Sequence, residues 1–230
     1  MTRTLELLDS KKHQLLRLRQ DHEAAPHFVQ VVAAEFAAAA TLCPILFTKN
    51  AETGQFYAGA MYGFQPGENL LDSGQGDVQP YRPLDLERQG FFISDENIAI
   101  DRSDPRFDET EGEPLFDAEG SASPRLRHIQ RVLGQLKTGV EETDAFIRTL
   151  LERRLVEPID VSMRFDDGET LALRGLYTVS LDSLRELDDA TALDLFRRGY
   201  LQLAYCMIGS LKQITALAQR RNRRLTSAAA

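Results

Sequence analysis

The chain has 230 residues, of which 43% are hydrophobic and 27% charged, and its 35 acidic and 27 basic side chains give a net charge of −8. Those proportions are ordinary for a globular protein and permit a core without covalent staples. The acidic balance disfavours nucleic acid and anionic membrane as partners. Two cysteines, Cys43 and Cys206, are too few for a secreted disulfide scaffold and read as packed thiols.

From the N-terminus, charges interrupt the first apolar residues, Leu5, Leu7 and Leu8, so no signal-peptide core is expected. No later run approaches the roughly 20 apolar residues of a membrane span. A cytoplasmic protein is the expectation. Residues 1–12 and 225–230 are expected as loose ends around a single domain covering residues 1–230. Leu16 and Leu18 alternate with Arg17 and Arg19, which allows a short edge strand. Val31 to Ala40 is alanine-rich and predicts a helix that Pro44 stops.

Ile45–Lys49 and Gln55–Phe64 read as two strands around the turn residues Asn50–Gly54, with Pro66-Gly67 closing the pair. Residues 72–90 read as a loop. Phe91–Ile93 and Ile98–Ile100 predict a second hairpin, followed by an acidic loop over residues 101–120 anchored by Phe107, Leu115 and Phe116. Ser123-Pro124 predicts a helix start, Ser as N-cap and Pro at the first helical position. Leu126, Ile129, Leu133, Leu136, Val140, Phe146 and Leu150 then mark one face, with Gly139 as a bend or a split into two helices and Pro158 as the stop. Ile159, Val161, Met163 and Phe165 alternate up to the hairpin signal Asp167-Gly168, and Leu171, Leu173, Tyr177 and Val179 return. Asp182 and Asp189 are expected to cap two final helices. The last carries Leu193, Phe196, Tyr200, Leu203, Met207, Leu211, Ile214 and Leu217 at steps of three or four. Hairpins dominate this order. It predicts an α+β fold: an antiparallel or mixed sheet built from hairpins, packed against helices, with a long C-terminal helix.

Groups with chemical potential are sparse in pattern. The histidines His13, His22, His27 and His128 form no metal-binding spacing, and the acidic loop lacks the order of a calcium loop. No nucleophile elbow or phosphate-binding glycine motif occurs. The pair Gly74 and Gly76 has no lysine or helix after it, and the basic run Arg220–Arg224 reads as a helix-end charge cluster or as a contact for an anion or acidic partner. No catalytic residue, metal ligand or cofactor is therefore assigned.

Several stretches taken together resemble the SapC family: Val31-Val-Ala-Ala-Glu35-Phe36, Cys43-Pro44-Ile-Leu-Phe47, Thr53-Gly54-Gln-Phe56, Gly63-Phe-Gln-Pro66-Gly67-Glu68-Asn69-Leu70, Glu113-Pro114-Leu115-Phe116-Asp117, Gly175-Leu176-Tyr177, Gly199-Tyr200-Leu201 and Ser210-Leu211. Gln89-Gly90-Phe91-Phe92 departs from the Tyr-Pro-Phe usual there. The resemblance implies a bacterial surface-layer-associated protein, or an accessory to envelope or uptake systems, since relatives occur beside outer-membrane receptors and flavin-dependent halogenase-like proteins. It carries no catalytic residues across.

The loop Gly63–Leu70 is the first candidate for recognition. Glu68 and Asn69 either bond the loop's own backbone or, with Pro66, Gly67, Glu35, Tyr62 and Tyr205, rim a site for a protein partner or small ligand. A carboxylate at Glu35 among alanines is costly if buried unpaired. Three readings follow: a non-enzymatic accessory or binding protein; a small-molecule enzyme using Glu35, Glu68, His13 or His27 as acid or base; or a self-associating structural protein, hence a possible homo-oligomer.

Overall fold

The computed structural model describes residues 5–19, 26–71 and 81–228. Its elements in chain order are β1 (Leu5–Leu7), β2 (Arg17–Leu18), β3 (Phe28–Gln30), a 3-10 turn (Ala33–Glu35), α1 (Phe36–Ala39), β4 (Ile45–Lys49), β5 (Phe56–Met61), α2 (Leu84–Glu87), β6 (Phe91–Ser94), β7 (Asn97–Asp101), β8 (Phe107–Asp108) and β9 (Glu113–Pro114). There follow α3 (Pro124–Glu152), β10 (Val156–Pro158), β11 (Val161–Arg164), β12 (Thr170–Leu173), β13 (Leu176–Val179), α4 (Leu181–Arg185), α5 (Asp189–Arg197), α6 (Tyr200–Ser210) and α7 (Lys212–Ala228). Among the described residues all strand pairs are antiparallel, and the fold is α+β with a long C-terminal helix interrupted at Leu211. His22 and the Gly74/Gly76 pair lie outside the described residues.

The chain divides into two compact units. One takes residues 1–23 and 84–138, the other residues 24–83 and 139–230. Helix α3 runs unbroken through the boundary at Thr138/Gly139. No composition shift or linker marks this division in the sequence.

In the first unit, β1, β7 and β6 form one sheet and β8, β2 and β9 another. Leu16, Leu18, Phe91, Ile100, Phe107, Leu115, Leu126, Ile129 and Leu133 share a buried cluster. Strand β2 is not an edge: it pairs on both sides, because the chain folds the acidic loop around it. The loop's carboxylates are spent locally. Asp108 Oδ1 accepts the Thr110 and Glu111 N–H groups at 2.6 and 2.9 Å, and Asp117 Oδ1 accepts those of Glu119 and Ser121 at 3.2 and 2.7 Å. Arg19 lies within 3.9 Å of Asp108 and Glu111. Strand β1 pairs with β7 from Leu5, and α7 spans Lys212–Ala228.

In the second unit the sheet runs β10-β13-β4-β5-β3. Its central strands are covered on both faces. On one, Phe47 meets Phe146 of α3 with centroids 6.1 Å apart, and Phe36 meets the same ring at 6.1 Å. On the other, Leu46 and Met61 pack with Phe64, Leu70, Phe165, Leu173, Ile214 and Leu217. Ser210 ties α6 to the start of β4, its Oγ accepting the Ile45 N–H at 2.9 Å and donating to Met207 O at 2.6 Å.

Several expected boundaries shift for physical reasons. The predicted helix over 31–40 shrinks, since the β-branched Val32 stays extended at φ −101°, ψ 160°. Helix α3 ends at Glu152, before Pro158. Arg154 takes the left-handed conformation at φ 56°, while the Leu155 and Arg154 N–H groups donate to Leu150 O and Leu151 O at 2.9 and 3.1 Å. Pro158 sits on the sheet-edge strand β10, where a missing N–H is tolerated. The caps are Ser180 and Asp188 rather than Asp182 and Asp189. The long C-terminal stripe is broken at Gly199, φ 74°, so Leu195 is buried while Leu193 and Phe196 are exposed.

Candidate functional site

The segment Val32–Phe36 is held against the second half of α3. A Cβ on Gly139 would lie 2.6 Å from Val32 Cγ2, so glycine lets the helix approach. One turn later, Thr143 Oγ1 accepts the Ala33 N–H at 2.8 Å and donates to Gly139 O at 2.6 Å. Gly139 is therefore a packing glycine in a continuous helix rather than a bend. This seating buries Glu35, which is only 6% exposed. Its carboxylate is paired on both oxygens: Oε2 accepts the Val32 N–H at 2.9 Å and Oε1 accepts the Tyr81 hydroxyl at 2.7 Å. The cost of burying this charge is offset by donors, one of which sequence reading missed.

Tyr62 belongs to the same neighbourhood. Burial pushes its hydroxyl well above the usual range, with Cys43 and Glu35 adding to the effect and Arg82 opposing it. Tyr81 is raised likewise, by burial first and then by the charge and hydrogen bond of Glu35. Burial also pushes the Cys43 thiol up to about 12. Near neutral pH this cluster presents two un-ionised phenols and a protonated thiol around a satisfied carboxylate. None of these groups is poised as a nucleophile.

The Gly63–Leu70 loop leaves the same strand, β5. Its geometry requires glycine at 63, where a Cβ would meet Glu68 O at 2.2 Å. Glu68 folds back so that Oε2 accepts the Phe64 N–H at 2.7 Å, and Asn69 Oδ1 accepts the Leu71 N–H at 3.0 Å. Both side chains brace the loop's own backbone. Arg221 completes the brace. It is 8% exposed, stacks at 4.2 Å over Phe165, reaches Glu68 at 3.7 Å and donates to Glu169 at 2.5 Å. Arg224 donates to Asn69 O at 2.6 Å, and Gln65 donates to Glu169 at 2.7 Å. Pro66 and Gly67 are left exposed at the tip, Gly67 at φ 82°.

The structure thus brings Glu35 and Tyr62 together, and Glu68 and Asn69 together under Pro66 and Gly67. It leaves Tyr205 out, 53% exposed on α6. The additional residues are Tyr81, Arg221 and Glu169. Arg221 carried a signal: it follows Ile214 and Leu217 at steps of three and four, so it continues the inward stripe. His13 meets Glu6 at 3.1 Å, His128 meets Glu87 at 2.6 Å, and His27 supplies its carbonyl to the Tyr62 and Gly63 N–H groups. Among the described residues, no group of histidine, cysteine and carboxylate side chains converges as a metal site, and no helix is long and apolar enough to cross a membrane.

A family model described as SapC matches residues 8–217. No curated protein and no solved structure matches the chain significantly. The chain belongs to the SapC family.

Proposed function

We propose that this member of the SapC family is a non-enzymatic accessory or binding protein, acting from the cytoplasm for a bacterial surface-layer, envelope or uptake system. We take its two units as parts of one functional domain, because the family match spans both. The observation that carries the reading is the braced loop. Glu68, the carboxylate most available for acid–base work, instead fixes the Phe64 N–H and faces Arg221, so that Pro66 and Gly67 project on a rigid turn. Rigidly supported loop tips lose little entropy on binding and suit recognition. Glu35, the other candidate, is committed to Val32 and Tyr81. The net charge of −8 fits a protein partner or small ligand better than nucleic acid.

The test is affinity capture of the tagged chain from its own bacterium after chemical cross-linking, beside a Pro66→Arg variant that changes only the exposed tip. A partner cross-linked through residues 65–69 of the natural chain and lost with Pro66→Arg supports the reading. Identical captures from both proteins sink it, as does turnover of a metabolite by the purified chain.

A further inference from the structure

Among the described residues, strand β1 is a sheet edge. The Leu8 N–H donates to Ile98 O at 2.8 Å, and the antiparallel register pairs Glu6 with Ile100. Inward hydrogen bonds in such a ladder fall on every second residue, so the backbone N–H and C=O groups of Leu5 and Leu7 point out of the sheet. The side chains of Leu5 and Leu7 are 53% and 55% exposed. Edge strands are ordinarily guarded by charges, bulges or proline. Here the one charge, Glu6, lies on the core-facing side and is held by Lys12 and by His13 Nε2 at 3.1 Å. Beside it lies a cleft of about 420 Å³ lined by Glu6, Lys11, Lys12, Leu15, Arg102 and Glu109, in which Arg102 pairs with Glu109 at 2.7 Å and Leu15 is 70% exposed.

A strand added to this edge meets leucines on one face and, on the other, a cleft whose three basic side chains outnumber its two carboxylates. It should therefore alternate apolar and acidic residues. The segment Leu5-Glu6-Leu7 has that pattern itself. We propose that β1 pairs antiparallel with β1 of a second copy of this chain, about a two-fold axis through Glu6, joining two three-stranded sheets into one of six strands. Leu5 of each copy then exchanges both backbone hydrogen bonds with Leu7 of the other. The two Glu6 carboxylates face each other, and like charges in that position repel. Lys12 of each copy, which already pairs with its own Glu6, offsets that repulsion. This pairing is independent of the Pro66–Gly67 tip, so its failure leaves the accessory reading untouched.

The experiment is sedimentation velocity of the full-length chain over a concentration series, beside Leu7→Pro and the double variant Leu5→Lys/Leu7→Lys. Proline at 7 removes only an outward N–H, since the β7 ladder uses Glu6 and Leu8. The lysine pair removes the apolar face and tests the same contact should the proline variant fail to fold. The expected result is a concentration-dependent dimer in the natural chain, weakened about tenfold or more in each folded variant. A chain that stays monomeric throughout leaves the edge to a strand of another protein and overturns self-pairing. A dimer undiminished in either folded variant overturns it too.

Discussion

The Tyr81 hydroxyl donates to Glu35 Oε1 across 2.7 Å, and that bond makes a buried carboxylate tolerable in a segment of alanines and valines. Replacing Glu35 by Ala strands both the Val32 N–H and the Tyr81 hydroxyl, at about 1–3 kcal/mol for each buried group left unpaired. Tyr81→Phe removes one donor and costs about 1–3 kcal/mol. Tyr62→Phe costs less than Tyr81→Phe, because the Tyr62 hydroxyl is buried with no hydrogen-bond partner among the described residues. Urea unfolding of the three variants gives the order, and a Tyr62→Phe cost above that of Tyr81→Phe would contradict it.

Arg221 joins the 63–70 loop, the 165–169 turn and α7. Arg221→Ala removes the stack on Phe165 and the partner of Glu169 and Glu68, and should destabilise by about 2–4 kcal/mol. Arg221→Lys should recover less than half of that, because an ammonium cannot stack flat on the ring while donating to Glu169. Equal stability of the lysine and natural proteins in a thermal melt would rule the brace out.

Two glycines of α3 separate packing from propensity. Gly134 has open space where a Cβ would go, whereas at Gly139 the Cβ would meet Val32. Gly134→Ala should stabilise by roughly 1 kcal/mol through helix propensity. Gly139→Ala should destabilise by about 1–3 kcal/mol through overpacking. The signs should be opposite in matched denaturant titrations.

The cysteines should differ in reactivity. Cys43 is fully buried, with its thiol raised to about 12, while Cys206 is half-buried on α6. At pH 8, an alkylating reagent followed by peptide mass analysis should label Cys206 at least about tenfold faster. The sign of the pH effect follows from the raised pKa. The Cys43 contribution to stability is intact below the unfolded thiol's pKa, near 9, and is lost as pH rises towards about 12. A Cys43→Ser variant should show a smaller loss of stability over that alkaline interval, and an unchanged alkaline profile would argue against the buried thiol as its source.

Local sequence determined much of this protein. The hairpins at Asn50–Gly54, Asp95–Asn97 and Asp167–Gly168, the Ser123 cap and the inward face of α3 up to Leu133 follow from turn chemistry and period, which act over a few residues. Family motifs spread over the chain showed the family. Tertiary structure decided the rest. At Val140 the periodic stripe predicts burial, yet the side chain is exposed and Gly139 and Thr143 take the inward positions, because a strand-like segment from more than a hundred residues earlier packs there. Glu68 has a backbone partner four residues away that the loop spelling allowed, but Arg221 and Tyr81 reach their carboxylates only after distant segments have packed. Burial, and with it the pairing of charges, depends on what covers a residue in space, and no local period records that.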